Sequence, residues 1–364
     1  MRSSKPQPVP GLDAVKAIAS QLIVLHHLAL YGPMSDVAWK LAPDLLAWFS
    51  NHARLAVQLF IVIAGFLTAH TLAPNGRLQS PAPHALLARR YLRLILPFIA
   101  ALLLTIAASW WARGQLDHDL VPEAPGVGQF LAHVFLLQDV LKLKSLSAGA
   151  WYMAIDLQLF ALFLGMMWLG SRCERWTKTA ASIGPWFVLA LGVSGLFYFN
   201  LDASWDHWGV YFFGAYALGA SARWAMNSIA ALDRFCLLLS LVAMALLFDY
   251  RSRVLLASLI ALGLLISLRR PQLLAWLERP SIQYLGKISY SIFLIHFAVL
   301  LIVNPLFISL FPTSPLMNAI GMLVAWAGSV AAGAAFYRWI EVPALAWSRR
   351  VAPRPAALRP YQTI

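Results

Sequence analysis

The sequence predicts an all-α membrane protein, a polytopic bundle of about ten membrane-spanning helices with both termini in the cytoplasm. Of its 364 residues, 60% are hydrophobic and only 12% are charged, whereas a soluble domain carries about 25% charged residues. The mean hydropathy is +0.69. Apolar runs of about 17 to 25 residues recur along the chain, and each could cross a hydrocarbon layer about 30 Å thick. The chain is therefore expected to fold in lipid.

The boundaries of the spans follow from the Gly, Pro and charged residues between the apolar runs. The first run, after Gly11, has no small-residue cleavage site behind it, which predicts a retained helix rather than a signal peptide. The amphipathic stretch 129–142 is expected to lie on the outer surface of the membrane. The two short runs beside Asp249 are either two spans or one re-entrant pair. The predicted spans are 12–31, 53–74, 86–112, 151–170, 185–201, 208–225, 235–250, 252–268, 287–310 and 316–345.

The orientation follows from the basic residues, which stay on the cytoplasmic side of a membrane. With the N-terminus inside, twenty of the 28 Lys and Arg residues lie in the cytoplasm, as expected for a bacterial-type cytoplasmic (inner) membrane protein. This asymmetry explains the net charge of +13 without a nucleic-acid partner, since no clustered basic face or nucleic-acid motif is present. The predicted divisions are a cytoplasmic segment 1–11, a membrane domain 12–345 and a basic, Pro-rich cytoplasmic tail 346–364.

The first span carries two polar residues that share one helical face. Lys16 and His27 are eleven residues apart, and eleven steps of an α-helix return to within about 20° of the starting direction while advancing about 16 Å. A charged side chain within the bilayer costs about 2.5 kcal/mol or more, so this face is a candidate functional site. The alternative is that Lys16 reaches the cytoplasmic headgroups and His27 lies in the outer interface.

The fourth span begins with Trp151 and places Asp156 about 8 Å further into the membrane. Trp151 and Tyr152 are typical of an interfacial aromatic belt, or they contact a substrate. Asp156 needs a partner, and His27 enters the membrane from the same side. Because a histidine held by a carboxylate is the usual form of an oriented general base, we predict a catalytic group of His27, Asp156 and Lys16.

Arg90 and Arg93 lie three residues apart on one face at the cytoplasmic start of the third span. They either anchor the topology or form a forked donor site for phosphate groups. We predict the second role, with Lys16 as a further contact.

The last two spans carry residues that bind substrate or support the structure. Ser289, Tyr290 and a mid-membrane His296 lie in the ninth span. Glu341 lies near the inner interface at the end of the tenth span, where Arg338 is its expected partner.

In this order, these motifs resemble the acyltransferase-3 family of integral membrane acyltransferases, from about Gly11 to Pro343. Four residues depart from the family pattern. Ala64 and Tyr152 stand where Ser is common, Gln58 stands where Asp is common, and Asp156 stands where Glu is common. The features that carry the resemblance are Lys16 followed by His27, the stretch LFIVIAGFL at 59–67, Arg90 and Arg93 followed by Pro97, Trp151 followed by Asp156, Ser289 and Tyr290 followed by His296, and Glu341 followed by Pro343.

The resemblance implies O-acyl transfer, most often of acetyl, from cytoplasmic acyl-CoA to a hydroxyl of an envelope glycan, a lipid-linked molecule or another extracytoplasmic acceptor. Acyl-CoA would bind at Arg90, Arg93 and Lys16, and His27 would remove the proton of the acceptor hydroxyl. Direct transfer and an acyl-His27 intermediate both stay open. We expect no metal and no permanently bound cofactor; the partners are acyl-CoA, the acceptor and membrane lipid.

A proton-coupled transporter is the alternative function, because transporters also place Lys, His and Asp within the membrane. The sequence shows no internal repeat of spans and no paired broken helices, both of which are common in transporters. Binding of acyl-CoA would distinguish the two functions.

Overall fold

The computed structural model describes residues 11–80, 82–179, 181–270, 272 and 277–351. Residues 1–10 of the predicted N-terminal segment and residues 352–364 of the predicted tail lie outside these ranges. Most described residues are helical and none forms a strand, so the prediction of an all-α bundle is confirmed. The α-helices are α1 (Leu12–Leu30), α2 (Met34–Ala38), α3 (Pro43–His52), α4 (Val57–Leu72), α5 (Pro83–Arg113), α6 (Val127–Val134), α7 (Ala150–Thr177), α8 (Gly184–Phe197), α9 (Gly209–Trp224), α10 (Ile229–Phe248), α11 (Ser252–Arg269), α12 (Pro280–Leu310), α13 (Pro315–Phe336) and α14 (Val342–Val351).

Within the described ranges, 9 helical segments are long and apolar enough to cross a membrane. One runs from Pro43 to Leu72, because a 3-10 turn joins α3 to α4. Helices α10 and α11 are both among the 9, which favours two spans over one re-entrant pair. The sixth predicted span, 208–225, corresponds to α9, which has only 16 residues and is not among the 9. The sidedness of the termini stays a prediction.

Helix α9 lies at the centre of the bundle and is tied to its neighbours near both ends. At its start, the Gly209 amide donates to Oε1 of Gln158 on α7, over 2.7 Å. At its end, the Trp224 indole donates to the carbonyl of Ala73, the residue after α4, also over 2.7 Å. Helix α9 therefore begins beside α7 and ends beside the C-terminal end of α4.

The contact between α4 and α9 depends on glycine. A Cβ on Gly65 would collide with the carbonyl oxygen of Tyr216, and a Cβ on Gly219 would collide with the carbonyl oxygen of Val62. Small residues that let two backbones approach are the usual way in which helices associate in lipid. Gly65 belongs to the AGF part of the 59–67 motif, so that motif has a packing role here.

We expect Gly219→Ala to lower the free energy of unfolding by about 1–3 kcal/mol, as overpacking of a close contact does. Gly263→Ala is the matched control, because a Cβ at Gly263 in α11 meets no atom within 4 Å. Thermal unfolding in detergent would compare the two variants. Equal melting temperatures would contradict the close contact between α4 and α9.

Helix α12 organises the other half of the bundle and packs against α1, α5 and α13. Gly286 on α12 faces the backbone of Asp13 on α1, and a side chain at Gly286 would collide with it. This approach holds α1 and α12 side by side near their N-termini. The two helices are also neighbours further along, where His27 in the last turn of α1 meets His296 in the middle of α12.

The predicted surface stretch 129–142 is helical only in its first part, α6, and then folds back as a loop. His133 fixes this loop: its Nε2 accepts from the Leu146 amide over 3.0 Å, and its Nδ1 lies 2.8 Å from the Gln129 carbonyl. Burial lowers the pKa of His133, which favours the neutral ring that these contacts require. Gln129 and Asp139 of this stretch line one cavity together with Leu30 and Tyr31 at the C-terminal end of α1.

Candidate active site

Two buried histidines from α1 and α12 form the centre of the site. The rings of His27 and His296 lie edge to edge in nearly parallel planes, with centroids 4.9 Å apart and planes inclined by 4°. Nδ1 of His27 lies 2.7 Å from Nε2 of His296. Nδ1 of His296 lies 2.8 Å from the carbonyl oxygen of Phe293, one turn earlier on α12.

These contacts fix the protonation pattern of the pair. A carbonyl oxygen only accepts, so Nδ1 of His296 must carry the proton. Nε2 of a neutral His296 is then an acceptor, and Nδ1 of His27 donates to it. Nε2 of His27 is left with a free lone pair, which is the chemical property of a general base.

His27 borders a cavity of about 930 Å³ at the C-terminal end of α1, which we call the histidine cavity. Its wall includes His26, Tyr31, Trp151 and Phe293 from the helices, and residues of the loop before α7. The loop contributes four acidic residues: Asp117, Asp119, Glu123 and Asp139. The cavity is large enough for a small polar substrate, and a base lies on its wall.

Asp156 has a different partner from the one we predicted. Its carboxylate accepts from Nε of Arg90 over 3.0 Å and from Nη2 of Arg90 over 2.6 Å to each oxygen. The side chains of Arg90 and Asp156 are only 22% and 4% exposed. The predicted pairing of Asp156 with His27 is therefore wrong, because Arg90 occupies both carboxylate oxygens.

The same ion pair changes the expectation for phosphate binding. Arg90 directs two of its nitrogens to Asp156, so it is not the open fork that the sequence predicted. Arg93, one turn later on α5, has an exposed side chain, and no described residue forms a hydrogen bond or ion pair with it. Arg93 is therefore the arginine of this pair that is free to bind an anion.

A second polar group, which we call the Glu341 cluster, consists of Lys16, Arg93, Ser291 and Glu341. The buried carboxylate of Glu341 accepts from the Ser291 hydroxyl over 2.5 Å and interacts electrostatically with Arg93 and Lys16. Lys16 also forms an ion pair with Asp13 over 2.5 Å. The predicted partner of Glu341, Arg338, is exposed instead.

A π-helical segment, Tyr337–Glu341, precedes α14 and carries Glu341. Such segments within α-helices often occur at functional sites. Sequence reasoning placed Glu341 at the interface and missed its contact with α12. The Pro after Glu341 in the E-x-P motif was the only sequence signal of irregular backbone there.

The other predicted site residues lie around the histidine pair and the Glu341 cluster. Trp151 lines the histidine cavity, while Tyr152 is buried among aromatic rings. The Tyr290 hydroxyl donates to the Leu94 carbonyl over 3.1 Å, and Ser289 is buried in α12. The contact that the sequence missed is that of His27 with His296, which the sequence assigned only to binding or support.

The fold and site define a multi-pass membrane protein in which a buried histidine pair borders a cavity between the helices. The chain belongs to the acyltransferase-3 family: the family model, described as an acyltransferase domain, matches residues 9–338. The resemblance that the motifs indicated is thereby confirmed, and the protein is a membrane acyltransferase. No curated protein and no solved structure matches the chain.

Proposed function

We propose that the protein transfers an acyl group, most simply acetyl, from cytoplasmic acyl-CoA to a hydroxyl of an envelope glycan or another extracytoplasmic acceptor. The observation that carries this proposal is the free lone pair on Nε2 of His27, on the wall of the histidine cavity. Family membership supports acyl transfer rather than the proton-coupled transport considered from the sequence.

The reaction needs one base and one thioester. The acceptor hydroxyl attacks the thioester carbonyl carbon and its proton passes to Nε2 of His27. Collapse of the tetrahedral intermediate breaks the C–S bond, and the proton moves from His27 to the departing thiolate. The products are the acyl ester and CoA. Such a base contributes about 10² to 10⁴ to a rate, and His296 holds the ring in the required tautomer.

The Glu341 cluster supports a donor site at the opposite end of α1. Arg93 and Lys16 lie around the buried carboxylate of Glu341. Asp13 forms an ion pair with Lys16, so Arg93 is the cation of this group that is left for a phosphate. Arginine binds phosphate oxygens with charge-assisted hydrogen bonds, and acyl-CoA is rich in phosphate. If the protein lies in the inner membrane with its N-terminus in the cytoplasm, the Glu341 cluster is on the side where acyl-CoA is present. The histidine cavity is then on the outer side, where the acceptor is present.

We expect Arg93→Ala to weaken acyl-CoA binding by about 10- to 100-fold, since a hydrogen bond to a charged group contributes about 1.5–3 kcal/mol. Calorimetry in sulfate-free buffer with acetyl-CoA would measure it. Arg175→Ala is the matched control, because Arg175 is an exposed arginine in the last turn of α7, outside the Glu341 cluster. If the wild-type protein binds no acetyl-CoA at millimolar concentration, the donor half of the proposal is wrong.

A further inference from the structure

Three aromatic rings from three helices meet beside the histidine pair. We call Phe60 of α4, Tyr152 of α7 and Phe293 of α12 the aromatic cluster. The ring centroids are 5.5 Å apart for Tyr152 and Phe293, 6.0 Å for Phe60 and Tyr152, and 6.4 Å for Phe60 and Phe293. Each ring therefore contacts the other two.

Phe293 connects this cluster to the catalytic histidines. Its ring borders the histidine cavity and lies 6.1 Å from the ring of His296, while its carbonyl accepts from His296. The ring rests on the backbone of Gly149, where a Cβ would lie 2.8 Å from the ring carbon Cζ. Phe293 is 6% exposed, so its ring has little room to move without displacing a neighbour.

The other side of the cluster faces the charged interior of the bundle. Tyr152 interacts electrostatically with Asp156 and Arg90, and neither Tyr152 nor Phe60 borders the histidine cavity. The cluster thus lies between the cavity and the Arg90–Asp156 pair. Phe293 is the member of the aromatic cluster that lines the histidine cavity, so it is the ring that an acyl group beside His27 would meet.

We propose that Phe293 determines acyl-chain length and restricts the donor to short chains such as acetyl. This inference rests on the proposed function. The thioester carbonyl must lie within reach of His27, so the acyl chain extends against the ring of Phe293. A longer chain requires the ring to leave its contacts with Gly149 and Tyr152. One misfitting methylene in an apolar pocket changes selectivity by about 10- to 200-fold.

The test compares acyl-CoAs of increasing length on the wild type and on Phe293→Ala. Native envelope membrane vesicles serve as the source of acceptor, and radiolabelled acetyl-, propionyl-, butyryl- and hexanoyl-CoA are the probes. We expect the wild type to prefer acetyl over butyryl by at least 100-fold in kcat/KM. In Phe293→Ala, the ratio of butyryl to acetyl transfer should rise at least tenfold.

Phe297→Ala is the matched control. Phe297 lies one turn further along α12 and also borders the cavity, but its ring packs on Tyr31 at 5.6 Å, outside the aromatic cluster. Its ratio of butyryl to acetyl transfer should equal that of the wild type. Phe293→Leu, which leaves less empty space, keeps the test available if the alanine variant does not fold, and it should show a smaller rise.

Two results would overturn the inference, and they differ. An unchanged ratio in the folded Phe293 variants, with normal acetyl transfer by the wild type, would remove Phe293 from selectivity and leave the proposed function intact. No transfer by the wild type from any of the four acyl-CoAs would remove the proposed function and this inference with it.

Discussion

Cells that carry His27→Ala are expected to lose the acyl modification completely while the protein still folds into the membrane. Removal of the only lone pair that the histidine pair offers to the cavity leaves no base for the acceptor proton, at a cost of about 10² to 10⁴ in rate. Mass spectrometry of envelope glycans and lipids would compare cells with the wild type, with the variant and without the gene. Full modification by His27→Ala would exclude His27 as the base.

The controls separate chemistry from packing. His26 is the neighbouring residue and also borders the cavity, but its Nδ1 lies 3.1 Å from the Phe49 carbonyl; His26→Ala should retain activity. His27→Asn keeps an N–H near the position of Nδ1 and lacks a basic nitrogen, so it should fold and be inactive. His296→Gln keeps an acceptor near the position of Nε2 and should retain more activity than His296→Leu.

Asp156→Ala is expected to lower the free energy of unfolding by about 3–5 kcal/mol, the cost of removing one partner of a buried ion pair. The change leaves the Arg90 guanidinium without its carboxylate in a bundle where water is scarce. Arg90→Met should be similarly harmful, because Asp156 is 4% exposed. Thermal unfolding in detergent would measure both effects.

The double variant Arg90→Met with Asp156→Leu tests why these variants are harmful. It removes both charges and should recover most of the lost stability, since apolar residues of similar volume often replace a buried pair without loss. If Arg93 is the main phosphate anchor, the double variant should also bind acetyl-CoA nearly as well as the wild type. Stable protein that binds no acetyl-CoA would instead assign the donor site to Arg90.

Local patterns explain what could be predicted from the sequence. Hydropathy and the distribution of basic residues depend on neighbouring positions along the chain, and they indicated the bundle and most of its spans. The shared face of Lys16 and His27 follows from helix geometry alone. Gly219 and Gly286 carried no such signal, although their close contacts determine which helices are neighbours.

The site required the tertiary structure because its contacts join distant parts of the chain. His27 and His296 are 269 positions apart, and Arg90 and Asp156 are 66 apart. Entry from the same side of the membrane made Asp156 a reasonable partner for His27, but several helices satisfy that condition at once. Helix packing resolves the choice: it brings α5 to Asp156 and α12 to His27.

The sequence by itself determined the class of protein, the polar residues within the membrane and the family motifs. Membrane-spanning segments must be apolar, so a polar residue within one is easily recognised. Only the tertiary structure decided which polar residues meet. Hydrogen bonds and ion pairs act over about 3 Å, so they depend on which helices are in close contact, as α1 and α12 are at Gly286. His27 thereby has an imidazole partner, and Arg93 rather than Arg90 is free to bind an anion.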